Sequence, residues 1–124
     1  MNKILIVDDE PHVALVLKQF LEKAGLQVFT ALNGELALSL IEQEHPDVIV
    51  TDIQMPKMGG IELCETVQRN YSDLNCLLLI MTSRTDRDIR IWVEQQNNIE
   101  MLEKPLSMRR LLGRINDYLS SVGT

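Results

Sequence analysis

The chain has 124 residues, of which 45% are hydrophobic and 24% are charged, and its formal net charge is −6. This length and composition fit one globular domain over residues 1–124 and exclude a second domain with its own core. The acidic balance argues against direct nucleic-acid binding, which needs an excess of lysine and arginine. Every apolar run is shorter than the roughly 18 residues of a membrane span, and the first one meets acidic residues at once, unlike a signal peptide. We therefore expect a cytoplasmic protein without a membrane partner.

The cysteines and histidines give no sign of a metal or disulfide framework. Cys64 and Cys76 lie in apolar segments without paired spacing, so we expect reduced thiols in the core. His12 and His45 are far from each other and from either cysteine along the chain, which disfavours a zinc site.

Apolar runs alternate with helical repeats along the chain and predict five strand–helix pairs. In chain order the predicted elements are a strand over 3–7, a helix over 11–24, a strand over 26–31, a helix over 37–44, a strand over 48–51, a helix over 61–69, a strand over 76–81, a helix over 86–96, a strand over 99–102 and a helix over 108–119. Pro11 falls in the first turn of the first helix and Gly25 ends it, whereas Asn33-Gly34 is predicted to be the turn before the second helix.

The apolar content of the predicted strands indicates their order in a sheet. The first, third and fourth strands are continuously apolar and are predicted to be buried on both faces, whereas the second alternates polar and apolar residues like an edge strand. Strands that alternate with helices form a parallel sheet covered on both faces. We therefore expect an α/β fold with a five-stranded parallel sheet, and the ranking suits the order 2-1-3-4-5 described for flavodoxin-like folds.

Residues with reactive side chains follow four of the predicted strands. They are Asp8 and Asp9 after the first, Asp52 after the third, Thr82 after the fourth and Lys104 after the fifth. Taken alone, Asp52 also fits a simple cap of the next turn. Because the carboxyl ends of parallel strands share one edge of the sheet, all five side chains are expected to converge there.

The expected cluster predicts a hard cation and phosphoryl chemistry. Three ionised carboxylates repel one another, so keeping them charged calls for a cation, and oxygen ligands favour Mg²⁺ over zinc. A carboxylate beside a metal can attack phosphorus, while Lys104 and Thr82 can bind phosphoryl oxygens.

The chain resembles the receiver domain of two-component response regulators, of the chemotaxis-receiver type, over nearly its whole length. The matching segments are ILIVDDEP, ALNGELAL, DVIVTDIQMPKMGGIEL, the strand that ends in Thr82-Ser83, and EKPL. The separations between them also fit the family. Each motif is weak by itself, but all of them in this order are specific.

The resemblance implies a role for each candidate residue. Asp52 is similar to the phosphoacceptor, Lys104 to the lysine that pairs with the phosphoryl group, and Thr82 to the hydroxyl that moves onto that group on activation. The implied Mg²⁺ ligands are Asp8, Asp9, Asp52 and the backbone carbonyl of Gln54. The Lys104-Pro105 peptide bond is implied to be cis.

The resemblance also implies partners and an output. The chain would take a phosphoryl group from a histidine kinase or phosphotransfer protein, lose it to water, and change the face formed by its fourth helix, fifth strand and fifth helix. A downstream effector domain or protein and a phosphorylation-linked dimer are implied as well. The role would be signalling, with no enzymatic activity beyond self-phosphorylation and self-dephosphorylation.

Two departures from the family pattern concern the output. The family usually carries Tyr or Phe three residues before the lysine, where this chain has Met101, and often Gly-Ala before the fifth strand, where it has Asn97-Asn98. Three arginines are predicted on one polar side of the last helix, either as a solvated face or as a docking face. They are Arg109, Arg110 and Arg114.

Other function classes fit only part of the pattern. A phosphatase of the haloacid dehalogenase type also forms an aspartyl phosphate, but it needs an Asp two residues after the nucleophile, where this chain has Gln54 after Asp52 and Glu10 after Asp8. A receiver-like interaction module without phosphorylation would not need the complete set of reactive residues. A nucleotide-binding fold is disfavoured because no glycine-rich loop follows the first predicted strand.

Overall fold

A computed structural model of the chain describes residues 2–83 and 87–122. Within them, the strands are β1 (Lys3–Val7), β2 (Gln27–Ala31), β3 (Val48–Asp52), β4 (Leu77–Thr82) and β5 (Ile99–Glu103). The helices are α1 (Pro11–Lys23), α2 (Gly34–Glu44), α3 (Gly60–Asn70), α4 (Arg87–Glu94) and α5 (Met108–Val122). The predicted start of the fourth helix, Asp86, lies outside the described residues.

The strands form one parallel sheet in the order β2-β1-β3-β4-β5, which confirms the predicted fold. The register places Val7 beside Thr51, Asp52 beside Met81, and Thr82 beside Glu103. The carboxyl ends of β1, β3, β4 and β5 therefore lie side by side along one edge.

The core lies on both faces of the sheet because successive strand side chains point to opposite sides. Ile4 and Ile6 of β1 pack with α1 and α5, whereas Leu5 and Val7 pack with α2, α3 and α4. β3 and β4 are buried along their whole length and β1 nearly so, while β2 alternates, as predicted. None of the helices in the described part of the chain is long and apolar enough to cross a membrane.

The start of α2 differs from the prediction. Asn33 is the N-cap of this helix instead of part of a separate turn, because its side-chain oxygen accepts a hydrogen bond of 2.9 Å from the Leu36 N–H. The helix consequently begins at Gly34, three residues before the predicted 37. A Cβ at Gly34 would lie 2.6 Å from the Cβ of Met58, so the loop after β3 packs closely on the start of α2.

Both cysteines are buried free thiols, as expected. Burial raises the pKa of each thiol to about 12, which keeps it protonated and poorly reactive at neutral pH.

Candidate functional site

The predicted reactive residues stand together at the carboxyl edge of the sheet. Asp8 follows β1, Asp52 ends β3, Thr82 ends β4, and Lys104 follows β5. Asp8, Asp52 and Thr82 are buried, whereas Asp9 is exposed. The convergence inferred from the strand order is therefore present in the structure.

The Asp52 carboxylate is held by the Lys104 ammonium group and by a backbone N–H of its own loop. One carboxylate oxygen lies 3.1 Å from the Lys104 Nζ, and the other accepts a hydrogen bond of 2.8 Å from the Ile53 N–H. The Lys104 N–H donates to the Thr82 carbonyl oxygen at 2.8 Å, so the ends of β4 and β5 are tied together beside Asp52. Asp52 is 7% exposed at the edge of the sheet, and it lies next to an ammonium group that can attract an incoming anion.

Asp8 has an incompletely satisfied carboxylate. One oxygen accepts a hydrogen bond of 2.9 Å from the Glu10 N–H, while the other is buried without a hydrogen-bond partner among the described residues. Burial raises the pKa of Asp8, the neighbouring Asp52 carboxylate adds to this effect, and the Glu10 N–H opposes it. A bound cation would satisfy the unpartnered oxygen and stabilise the ionised carboxylate.

The donor set fits a hard cation. Carboxylate oxygens of Asp8, Asp9 and Glu10 lie within 4.8 Å of one another, and such oxygens suit Mg²⁺. The sequence reasoning missed Glu10 as a possible ligand; the available signal was its place in the acidic run that follows the first strand. Gln54 lies in the loop after β3 with an exposed side chain, and the metal role of its carbonyl stays a prediction.

The loop that follows Asp52 closes tightly over the end of β3. The Gly60 N–H donates to the Ile53 carbonyl oxygen at 3.0 Å, and a Cβ on Gly60 would lie 2.3 Å from the Asp52 carbonyl oxygen. Only a residue without a side chain fits this approach of the α3 start to the backbone of Asp52. Across the site, the Lys104-Pro105 peptide bond is cis, as the resemblance implied.

The surface next to the site departs from the prediction at Arg114. Its guanidinium forms two hydrogen bonds with the Glu100 carboxylate on β5, and this hydrogen bonding raises the pKa of Arg114. The three arginines were expected to form either a solvated face or a docking face, and Arg114 differs from the other two because β5 offers it a carboxylate beside α5. Arg109 and Arg110 are exposed. Met101 is half-buried and packs with the core on the α2–α4 face.

Known proteins are similar to this chain in both sequence and fold. The alkaline phosphatase synthesis transcriptional regulatory protein PhoP of Bacillus subtilis is 35% identical over 118 residues, which are 95% of this chain and 48% of that protein. Protein PilH of Pseudomonas aeruginosa is 34% identical over 120 residues, which are 97% of this chain and 99% of that protein. The chain therefore spans about half the length of PhoP and nearly all of PilH.

Solved structures of receiver domains also resemble this chain in fold. The Vibrio cholerae chemotaxis protein CheY4 superposes with a TM-score of 0.86 at 28% identity, over 96% of this chain and 99% of that chain. The family description "Response regulator receiver domain" matches residues 4–116. With that match over most of its length, and with its acidic residues and lysine gathered at one edge of the sheet, the chain belongs to the response regulator receiver domain family of two-component systems.

Proposed function

We propose that Asp52 accepts a phosphoryl group from a histidine kinase or phosphotransfer protein, and that the chain acts as a signalling switch. The observation that carries this proposal is the contact of 3.1 Å between the Lys104 Nζ and the Asp52 carboxylate. Catalysis would be limited to the chain's own phosphorylation and dephosphorylation.

The chemistry is a displacement at phosphorus. A carboxylate oxygen of Asp52 attacks the phosphorus of a phosphohistidine, the P–N bond breaks, and the nitrogen leaves with the electron pair. The product is an acyl phosphate on Asp52. Attack of water on the same phosphorus later releases inorganic phosphate and restores the carboxylate.

The neighbouring residues supply charge and position. Lys104 would move from the Asp52 carboxylate to a phosphoryl oxygen, where the incoming negative charge strengthens the contact. Thr82 ends the adjacent strand and would donate its hydroxyl hydrogen to a phosphoryl oxygen. Asp8 and Asp9, with Asp52 and the Gln54 carbonyl, would hold a Mg²⁺ ion that supplies positive charge to the transferring group.

Small phosphodonors test the proposal without the natural partner. Incubation with acetyl phosphate or phosphoramidate in the presence of Mg²⁺ should add one phosphoryl group, read from the intact mass. Asp52→Asn should abolish the addition because the amide is a poor nucleophile. Asp73→Asn makes the same change at an exposed acid in the loop before β4 and should label normally.

Two results would overturn the assignment. One is equal labelling of the unmodified chain and Asp52→Asn. The other is a homoserine at a residue other than Asp52 after borohydride treatment, which reduces an aspartyl phosphate to homoserine with release of phosphate.

A further inference from the structure

The loop between Asp52 and α3 contains a strained turn. The Met58 N–H donates to the Pro56 carbonyl oxygen at 2.8 Å, and Lys57 between them has a φ of 68°. A three-residue turn whose central residue has a positive φ is the rare, strained form of the γ-turn, and it costs lysine free energy that it would not cost glycine. Such a conformation persists only where the surrounding structure holds it. The turn therefore needs contacts that keep it in place.

The start of α2 provides such a contact. A Cβ at Gly34 would lie 2.6 Å from the Cβ of Met58, 2.7 Å from its Cγ and 2.9 Å from its carbonyl oxygen. Met58 therefore occupies the space that a side chain at Gly34 would need. Gly34 is the first residue of a helix, where glycine is a poor helix former and its conformational freedom is not required. The contact with Met58 accounts for a glycine at this position.

The same loop is tied at both ends to the candidate phosphoacceptor. The Ile53 N–H donates to the Asp52 carboxylate at 2.8 Å, and the Ile53 carbonyl oxygen accepts from the Gly60 N–H at 3.0 Å. The backbone from Ile53 to Gly60 is thus a closed loop, and Met58 near its middle rests on α2. Because packed structure transmits displacements, a shift of Met58 away from α2 would also move the groups that orient the Asp52 carboxylate.

We propose that Gly34 and Met58 are positioning residues for phosphoryl transfer to Asp52, and that their contact holds the loop in its reactive geometry. The inference rests on the proposed function and deepens it by adding residues that act on the carboxylate only through the loop. Displacement at phosphorus requires the attacking oxygen to be aligned with the bond that breaks. A small shift of the loop should therefore lower the rate, while the donor still binds beside Lys104.

Four single variants and one double variant test the contact. Gly34→Ala places a Cβ against Met58, Met58→Gly empties the space, and the double variant removes both clashes with the side chain of residue 58. Gly113→Ala makes the same change in α5, where a Cβ meets nothing within 4 Å. Ile115→Val leaves a small cavity in the core on the other face of the sheet and so controls for lost stability alone.

The initial rate of labelling by acetyl phosphate with Mg²⁺, measured over a range of donor concentrations, gives a limiting rate and a KM. Gly34→Ala should lower the limiting rate about fivefold and Met58→Gly about twofold, with the KM changed less than about twofold. The double variant should return to within about twofold of the parent rate because the two changes compensate. Gly113→Ala and Ile115→Val should label at the parent rate, although Ile115→Val should lower the urea midpoint.

Three results would overturn the inference. They are labelling of Met58→Gly at the parent rate, a double variant as slow as Gly34→Ala, and a loss in Ile115→Val equal to that in Gly34→Ala. Should Gly34→Ala not fold, Met58→Gly still decides the question, because its smaller side chain cannot clash.

The NMR signal of the Ile53 N–H separates this inference from the proposed function, since this group donates to Asp52. If the parent is labelled at Asp52 and all variants label alike, the positioning role is wrong and the phosphoacceptor stands. If the parent is not labelled, the phosphoacceptor assignment fails, and the Ile53 signal still tests the contact. It should shift in Gly34→Ala and return in the double variant, whereas an unchanged signal in Gly34→Ala would refute the contact's influence on Asp52.

Discussion

Asp8 is 1% exposed, and one of its carboxylate oxygens has no hydrogen-bond partner in the described part of the chain. Burial of an ionised group without full compensation costs free energy of folding. The position of Asp8 therefore favours the binding of a cation but lowers the stability of the chain when no cation is bound. Such a conflict between stability and function is typical of binding sites.

Asp8→Asn should stabilise the chain by about 1–2 kcal/mol at pH 7 with Mg²⁺ removed by a chelator, since it removes a buried charge and keeps an oxygen for the Glu10 N–H. Because burial raises the pKa of Asp8, the Asp8 carboxylate binds a proton more tightly in the folded chain than in the unfolded chain. The parent therefore loses stability as the pH rises through the folded pKa. The advantage of the variant should shrink from pH 7 towards about pH 4, near the unfolded pKa of Asp.

Urea unfolding of both chains at the two pH values measures this difference. Asp9→Asn, at the exposed neighbour, is the control and should change stability by less than about 0.5 kcal/mol. A parent and Asp8→Asn of equal stability at pH 7, or an advantage that grows on acidification, would contradict the explanation.

At the scale of elements, the connection from β3 to α3 fixes the position of the candidate phosphoacceptor. Gly60 comes so close to Asp52 that a Cβ would lie 2.3 Å from its carbonyl oxygen and 3.0 Å from the Ile53 Cα. Both contacts are with backbone, which cannot move aside as a flexible side chain can. The helix start and the end of the strand therefore form one rigid unit.

Gly60→Ala should destabilise the chain by about 1–3 kcal/mol through overpacking, and it should slow labelling by acetyl phosphate because the Asp52 backbone must shift. The matched control is Gly113→Ala in α5, where a Cβ meets nothing within 4 Å. That control should stabilise the chain by about 0.5–1 kcal/mol, as alanine is the better helix former. Urea unfolding and labelling rates compare the two variants. Equal behaviour of both would show that the close approach does not constrain the site.

At the scale of the whole molecule, the features predicted from sequence were those that depend on regular patterns. Apolar content alone ranked the strands, because a strand covered on both faces tolerates few polar residues. The order of the strands then brought Asp52 and Lys104 together, although 51 residues separate them along the chain.

The features that were missed depend on single side-chain partners. Asn33 was assigned to a turn because its cap hydrogen bond to Leu36 is a local choice that composition does not distinguish. Arg114 was grouped with Arg109 and Arg110 on one polar face because its pairing with Glu100 requires knowing how α5 lies beside β5. The carboxylate of Glu10 was not expected beside those of Asp8 and Asp9 because side-chain direction at the start of a helix does not follow from periodicity.

The proposed phosphoryl group on Asp52 would affect the surface through the elements that lie beside it. Thr82 lies beside Glu103 in the sheet, and Arg90 of α4 lies 3.5 Å from the Glu103 carboxylate. On α4, Val93 is buried while Ile89 and Trp92 are partly buried against the same core as Met101. With Val93 as the one buried side chain among its described residues, α4 is loosely anchored and can move at low cost.

Formation of the beryllofluoride complex, a mimic of the phosphoryl group, should therefore change hydrogen exchange most in residues 83–96 and alter the fluorescence of Trp92. The reason is that Thr82 would move onto the phosphoryl oxygens and draw the connection to α4 with it. Residues 84–86 of that connection lie outside the described residues. The flexible side chain of Met101 allows several packings and would follow the helix instead of fixing it.

The same measurement on Asp52→Asn is the control, because that variant should not form the complex and should show neither change. Trp92 is the single tryptophan of the chain, so its emission reports α4 without interference from other tryptophans. Altered exchange confined to the loop after Asp52, with residues 83–96 unchanged and constant Trp92 emission, would refute transmission through α4. In that case the signal would have to leave through the loop itself, since Met101 offers no aromatic ring to carry it along β5.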